Sequence, residues 1–90
     1  MQKNYRSRTD TIAQILHTTN HGVPKTKIMY KVFLPYKQVQ EYVDILIQNR
    51  LLEYLQVTQT YKTTEKGLKF LKVYDQMQGE QTTTTTTQIK

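Results

Sequence analysis

Apolar residues recur every three or four positions at the start of the chain, which predicts a first helix over about 8–20. Ser7 and Asp10 have the spacing of a capping box, in which each side chain accepts a hydrogen bond from the other residue's backbone N–H. Asn20-His21-Gly22 is typical of a helix end. The inward positions are predicted to be Ile12, Ile15, Leu16 and Thr19.

Two prolines mark the starts of the next two helices, because proline is well tolerated in the first turn of a helix. The second helix is predicted to begin at Pro24 and to end at Phe33-Leu34-Pro35, and the third to run over about 35–49. The third helix has the clearest apolar stripe, with the spacing i, i+3, i+4, i+7, i+8. The inward residues are Ile28, Met29 and Val32 in the second helix, and Val39, Tyr42, Val43, Leu46 and Ile47 in the third.

After Arg50 the apolar residues no longer follow helical spacing, and a β-hairpin is predicted. Residues 51–57 form its first strand and residues 60–63 its second, with the turn at Thr58-Gln59. Thr64 is then placed to cap a fourth helix. The apolar residues of that helix are Leu68, Phe70, Leu71, Val73, Tyr74 and Met77.

Three short helices, a two-stranded ribbon and a last helix form the plan of a winged helix-turn-helix, so the predicted fold class is mainly α with a small β-hairpin. We predict a flexible basic arm over 1–6, the winged domain over 7–64, a dimerisation helix over 65–78 and a tail over 79–90. The tail contains six consecutive threonines and too little apolar surface to order itself.

Three segments resemble those of a known family: Pro24-Lys25-Thr26-Lys27-Ile28-Met29-Tyr30, Tyr42-Val43-Asp44-Ile45-Leu46 and Tyr61-Lys62-Thr63-Thr64-Glu65-Lys66-Gly67. Over roughly residues 8–77 the chain is similar to the small archaeal winged-helix DNA-binding proteins, which are chromatin-associated or regulatory. The resemblance implies DNA binding and dimerisation through the last helix. The chain departs from that family in having no glycine at the hairpin tip and a shorter last helix.

The charge is strongly asymmetric along the 90 residues, whose formal net charge is +6. Residues 1–37 contain seven Lys or Arg and one acidic residue, so they account for the whole excess. Such asymmetry favours a polyanionic partner, which we interpret as double-stranded DNA. The absence of cysteine excludes disulfides, and no apolar run is long enough to span a membrane. We therefore expect a cytoplasmic, nucleoid-associated protein.

The polar side of the third helix is predicted to read bases in the major groove, with its first turns deepest. Glutamine can pair with adenine, lysine can reach guanine, and glutamate can accept from cytosine. The same residue types also occur on ordinary solvated helices. The candidates are Tyr36, Lys37, Gln38, Gln40 and Glu41.

Other residues are predicted to contact the DNA backbone. Those in the first turn of the second helix combine ammonium groups with free backbone N–H groups, and so favour phosphate. Arg6 and Arg8, taken to precede the first helix, resemble a basic arm. The candidates for phosphate or sugar contact are Lys25, Thr26 and Lys27 in the helix, Arg8 before the first helix, and Gln59, Thr60 and Lys62 on the wing.

The fourth helix has more apolar surface than one contact requires, which indicates a homodimer. Leu68, Leu71 and Tyr74 line one face, which can close onto the first helix and the hairpin, and a second set lines the next. The predicted dimer interface is Phe70, Val73, Tyr74 and Met77.

The remaining motifs give no sign of catalysis. His17 and His21 are four residues apart, but zinc needs three or four ligands and nothing nearby supplies the others. No phosphate loop or nucleophile elbow is present, so we expect no enzyme activity, cofactor, metal or small-molecule ligand. The alternative hypothesis is a winged-helix protein–protein module, in which Glu41 and Asp44 face a protein partner.

Overall fold

The computed structural model describes residues 7–83, with side chains described through Gln78. In chain order the elements are α1 (Arg8–Thr18), α2 (Lys25–Val32), α3 (Tyr36–Gln48), β1 (Leu52–Leu55), β2 (Thr60–Thr63) and α4 (Glu65–Thr83). The predicted order of elements and the mainly helical fold class are confirmed. No helix within residues 7–83 is long and apolar enough to cross a membrane. The predicted arm over 1–6 lies outside the described residues.

The core lies where α1, α2, α3 and the hairpin meet. Each large aliphatic side chain that leaves water there contributes about 1.5–3 kcal/mol to the free energy of unfolding. Ile12 and Met29, both predicted to be inward, pack against this core only partly buried. The fully buried aliphatic side chains are Ile15, Leu16, Ile28, Val32, Val39, Val43, Leu46 and Leu52.

Helix α1 begins with the predicted capping box but ends earlier than predicted. The Ser7 hydroxyl accepts from the Asp10 N–H at 3.0 Å, and Asp10 accepts from the Ser7 N–H at 3.2 Å. The helix ends at Thr18 rather than at residue 20, and the buried Thr19 is its C-cap. The Thr19 hydroxyl lies 2.8 Å from the Thr63 hydroxyl, which donates to the Leu16 carbonyl at 2.6 Å. These buried bonds join the end of α1 to the hairpin.

Helix α3 buries a narrower stripe than predicted. Val39, Val43 and Leu46 are at most 1 % exposed and occupy positions i, i+4 and i+7. The prediction that Ile47 faces the core is wrong, because this side chain is 37 % exposed. It follows Leu46 by 100° around the helix, which moves it from the buried stripe to the flank. Tyr42 is half-buried at the edge of the core.

The first strand of the hairpin is shorter than predicted, and the second has its predicted bounds. Leu55 pairs with Thr60, so residues 56–59 form a four-residue loop where a turn at Thr58-Gln59 had been expected. Gln59 has a φ of 58°, which is the left-handed conformation that glycine would adopt more easily. The loop holds Val57 at its tip with 97 % of the side chain exposed. The wing therefore closes without a glycine.

Helix α4 continues to Thr83, beyond its predicted end at residue 78. Residues 79–83, which the sequence predicts to begin the tail, continue α4 in the structure. Once a helix has formed, each added residue gains a backbone hydrogen bond without a new nucleation cost, which favours this extension. The rest of the predicted tail, residues 84–90, lies outside the described residues.

Candidate functional site

Lys25, in the first turn of α2, lies against α3 and the hairpin. Its ammonium nitrogen is 3.3 Å from the Tyr36 hydroxyl and 4.9 Å from the centre of the Tyr36 ring. It is also 5.6 Å from the centre of the Tyr61 ring and donates to the Gln40 side-chain oxygen. Burial lowers the pKa of Lys25, but the Tyr36 and Tyr61 hydroxyls outweigh burial and raise it above the ordinary 10.5. The ammonium group is therefore charged at neutral pH.

Gln40 connects Lys25 to the outer face of α3. Its side-chain oxygen accepts from Lys25, and its Nε2 donates to the Asp44 carboxylate at 2.8 Å. These two bonds fix which end of the amide faces each neighbour. A residue predicted to read bases is therefore already held by intramolecular hydrogen bonds.

The outward side of α3 contains the other predicted base readers. Lys37, Gln38 and Glu41 are exposed, and Tyr36 is 56 % exposed. They lie in the first two turns of the helix. We call Tyr36, Lys37, Gln38, Gln40 and Glu41 the α3 face.

Thr26 and Lys27 are exposed in the first turn of α2, as a phosphate contact requires. Pro24 is the N-cap residue of this helix, and no side chain caps it. The backbone N–H groups at such a helix start favour an anion. Lys27 and Thr26 therefore differ from Lys25, whose charge is directed towards α3.

Arg8 occupies a different position from the one predicted. It is the first residue of α1 and not part of a preceding arm, because the capping box at Ser7 starts the helix there. Its guanidinium carbon lies 5.5 Å from the centre of the Tyr42 ring of α3. Lys25 stacks on Tyr36 and Arg8 on Tyr42, so a cation borders α3 at each of two tyrosines. The apolar spacing places Tyr42 among the inward residues and gives no sign of this contact with Arg8.

The wing residues Gln59 and Lys62 are exposed, and Thr60 is half-buried. The Thr60 hydroxyl lies 2.7 Å from that of Thr58. Lys62 pairs across the hairpin with Glu53, whose carboxylate offsets part of its charge. The wing therefore supplies less net positive charge than its lysine suggests.

Helix α4 is joined to α1 by two polar contacts. The Tyr74 hydroxyl donates to Asp10, and His17 Nε2 lies 3.1 Å from Asp75 Oδ1. This arrangement changes the predicted division of α4 into faces, because Leu68 is 42 % exposed while Tyr74 is half-buried against α1. Within residues 7–78, no cluster of three His, Cys, Asp or Glu side chains is placed to hold a metal ion.

The four residues predicted to form a dimer interface differ in exposure. Val73 and Met77 are 56 % and 58 % exposed, which suits an interface. Phe70 is half-buried, and its ring stacks on Tyr74 with 6.2 Å between centres. Val73, Met77 and the exposed edge of Phe70 lie along one flank of α4, while Tyr74 is turned towards α1.

Because of the Tyr74–Asp10 hydrogen bond, the free energy of unfolding should decrease at alkaline pH. The hydrogen bond to Asp10, together with burial, raises the pKa of Tyr74 from 10.0 to about 12. The folded state thus holds this proton more tightly, so the stabilisation is complete below pH 10 and is lost as the pH rises towards 12. We expect Tyr74→Phe to lower the free energy of unfolding at neutral pH by about 1 kcal/mol, because the bond is half-exposed.

Urea denaturation at neutral pH and at about pH 11 measures this effect. The difference between wild type and Tyr74→Phe should narrow at the higher pH, where the wild-type bond weakens. Tyr30→Phe removes an exposed hydroxyl and provides the control. A difference that stays constant between the two pH values would contradict the role assigned to the bond.

Comparison with known proteins identifies a family. A family model described as winged helix-turn-helix matches residues 5–82. The matched range includes α1, α2, α3 and the hairpin, and most of α4. No curated protein matches the chain.

Proposed function

We propose that the chain, which belongs to the winged helix-turn-helix family, binds double-stranded DNA through the α3 face. This family suggests DNA binding in general, and a winged helix-turn-helix is typically not an enzyme. In the proposed complex α3 lies in the major groove and the wing touches the neighbouring backbone. The observation that carries the proposal is the exposed polar α3 face bordered by the cations Lys25 and Arg8.

The positions of the lysines near α3 support different contacts with DNA for each of them. Exposed Lys27, with Thr26, is suited to a phosphate because both lie at the uncapped start of α2. Exposed Lys37 lies on α3 itself and is suited to a base edge. Lys25 orients Gln40 and adds positive charge at the edge of the groove.

We assign the protein a role as a transcriptional regulator or a nucleoid-associated protein in the cytoplasm. Phosphate contacts supply most of the affinity in such a protein, and the base contacts of one helix supply the selectivity. Glu41 and Asp44 repel phosphate, so they favour selective binding over uniform coating of DNA.

The dependence of duplex affinity on salt tests the proposal. Four to six phosphate contacts would give a log–log slope of about −4 to −5 for duplex DNA. We expect this slope in fluorescence anisotropy titrations with a mixed-sequence duplex. A flat response, or no binding at low salt, would contradict DNA binding and favour the protein–protein module, in which Glu41 and Asp44 meet a protein partner.

The proposal includes a homodimer formed through the α4 flank that contains Val73 and Met77. Two copies of α3 would then address half-sites spaced by one or more helical turns of DNA, about 34 Å each. We expect sedimentation to show a dimer at tens of micromolar and Val73→Glu to show a monomer, because the introduced carboxylates would be buried in the interface.

Gln76→Glu adds the same charge to an exposed polar position of α4 and should leave the dimer intact. A wild-type monomer under these conditions, or equal effects of the two substitutions, would contradict the interface.

A further inference from the structure

The outer flank of α2 exposes two aromatic rings next to a cavity. Tyr30 is 77 % exposed and Phe33, which follows the last residue of α2, is 83 % exposed. Leaving such rings in water forgoes much of the free energy that their burial would provide. The cavity has a volume of about 270 Å³ and is lined by Thr26, Met29, Tyr30, Phe33 and Leu34.

Phe33 also has an unfavourable backbone conformation. Its φ of 56° and ψ of 47° are left-handed, and its N–H donates to the Met29 carbonyl at 2.9 Å. Glycine or asparagine usually occupies this position at the end of a helix, because a side chain raises the energy of the left-handed conformation. Phe33 therefore leaves an exposed ring at a position where glycine would be more favourable.

The face of α2 that adjoins this cavity is positively charged. Lys27 and Lys31 are exposed four positions apart on the face of α2 next to Tyr30, so Tyr30 lies between them and the cavity. Residues 11–40 contain no aspartate or glutamate, so no acidic residue of this segment offsets these charges. The flank therefore combines an apolar cavity with a basic border.

We propose that this flank binds an acidic peptide segment of a partner protein. One large apolar side chain of the peptide fills the cavity between Tyr30 and Phe33, and its carboxylates face Lys27 and Lys31. This is the arrangement expected when an amphipathic segment docks into an apolar groove of opposite charge. It goes beyond the proposed function, because it assigns a protein partner to the outer flank of α2, which shares Thr26 and Lys27 with the proposed phosphate contact.

Charge argues against the other occupants of the cavity. A symmetric contact between two copies would place the same lysines opposite one another, which is repulsive. A DNA duplex can contact the lysines, but its backbone presents charged phosphates and no apolar side chain to fill the cavity. An acidic peptide with one apolar anchor satisfies both features.

Binding of two synthetic peptides to the whole protein tests the proposal. The first is a fluorescein-labelled, glutamate-rich peptide with one central phenylalanine, and the second has serine in that position. We expect the first to bind at least about tenfold more tightly, since burying a phenylalanine contributes about 1.5–3 kcal/mol and about 1.4 kcal/mol is tenfold. Equal affinities would overturn the proposal.

Phe33→Gly is the decisive variant, because it removes the ring while relieving the left-handed backbone. We expect it to fold at least as well as wild type by thermal circular dichroism and to lose the tenfold preference for the phenylalanine peptide. Val57→Ser removes an apolar side chain that is 97 % exposed on the wing, and should retain the preference.

Two further outcomes bear on the occupant. Duplex affinity should be unchanged in Phe33→Gly, which separates failure of this proposal from failure of DNA binding. A preference retained in Phe33→Gly would overturn the proposal, as would self-association of the wild type that Phe33→Gly abolishes, because the occupant would then be a second copy.

Discussion

The double variant Lys27→Ala/Lys37→Ala should bind duplex DNA about 100-fold more weakly than wild type at about 0.1 M salt. In the proposed complex Lys27 neutralises a phosphate and releases counterions, which at this salt concentration contributes about tenfold in affinity, and the Lys37 contact with a base edge contributes about another tenfold at a preferred site. Both side chains are exposed, and they lie at the starts of α2 and α3. Anisotropy titrations over a range of salt concentrations measure the loss, and the slope should become shallower by about one, because one phosphate contact is removed.

The single variants separate the two roles. Lys27→Ala should weaken binding to every duplex equally, because a phosphate contact is independent of sequence. Lys37→Ala should weaken binding to preferred sites more than to others, because a contact with a base edge is specific. Selection of bound fragments from a random duplex library identifies the preferred sites.

A matched control uses two exposed lysines of α4. Lys69→Ala/Lys72→Ala removes the same net charge from a part of the molecule that is not proposed to contact DNA. We expect it to retain most of the affinity and of the salt slope. If both double variants lose the same affinity, overall charge and not the α3 face governs binding, and the proposed interface is wrong.

Gly67→Ala should lower the free energy of unfolding by about 3 kcal/mol, because forcing an extra methyl group into a packed site destabilises by about this amount. Gly67 lies in the first turn of α4, where the helix meets the hairpin. A Cβ atom there would lie 2.6 Å from the Thr63 methyl carbon and still closer to the Leu51 carbonyl oxygen. Because the carbonyl belongs to the backbone, α4 must shift to make room.

Thermal unfolding measures this effect, and the midpoint should fall by about 12–24 °C for a domain of this size. Gln76→Ala, on an exposed position of the same helix, should change the midpoint little. A midpoint within a few degrees of wild type for Gly67→Ala would show that α4 is not held closely against the hairpin.

Local features of the sequence predicted the elements well. The capping box of Ser7 and Asp10, the two prolines and the apolar stripe of α3 each act within a few residues, so they can be recognised without a structure. The predicted end of a helix was less accurate where a tertiary contact determines that end. Thr19 leaves α1 to join Thr63, which is distant in sequence, and the helix therefore ends before residue 20.

The sequence by itself determined the helices and the hairpin, the position of the excess charge and the polar side of α3, because periodicity and capping depend on neighbouring residues. Only the tertiary structure decided which polar side chains form hydrogen bonds with one another. Lys25 bonds to Gln40 and Tyr74 to Asp10 across 15 and 64 positions. Such pairs depend on how helices pack, and a one-dimensional pattern of residue types contains no information about which distant side chains will meet.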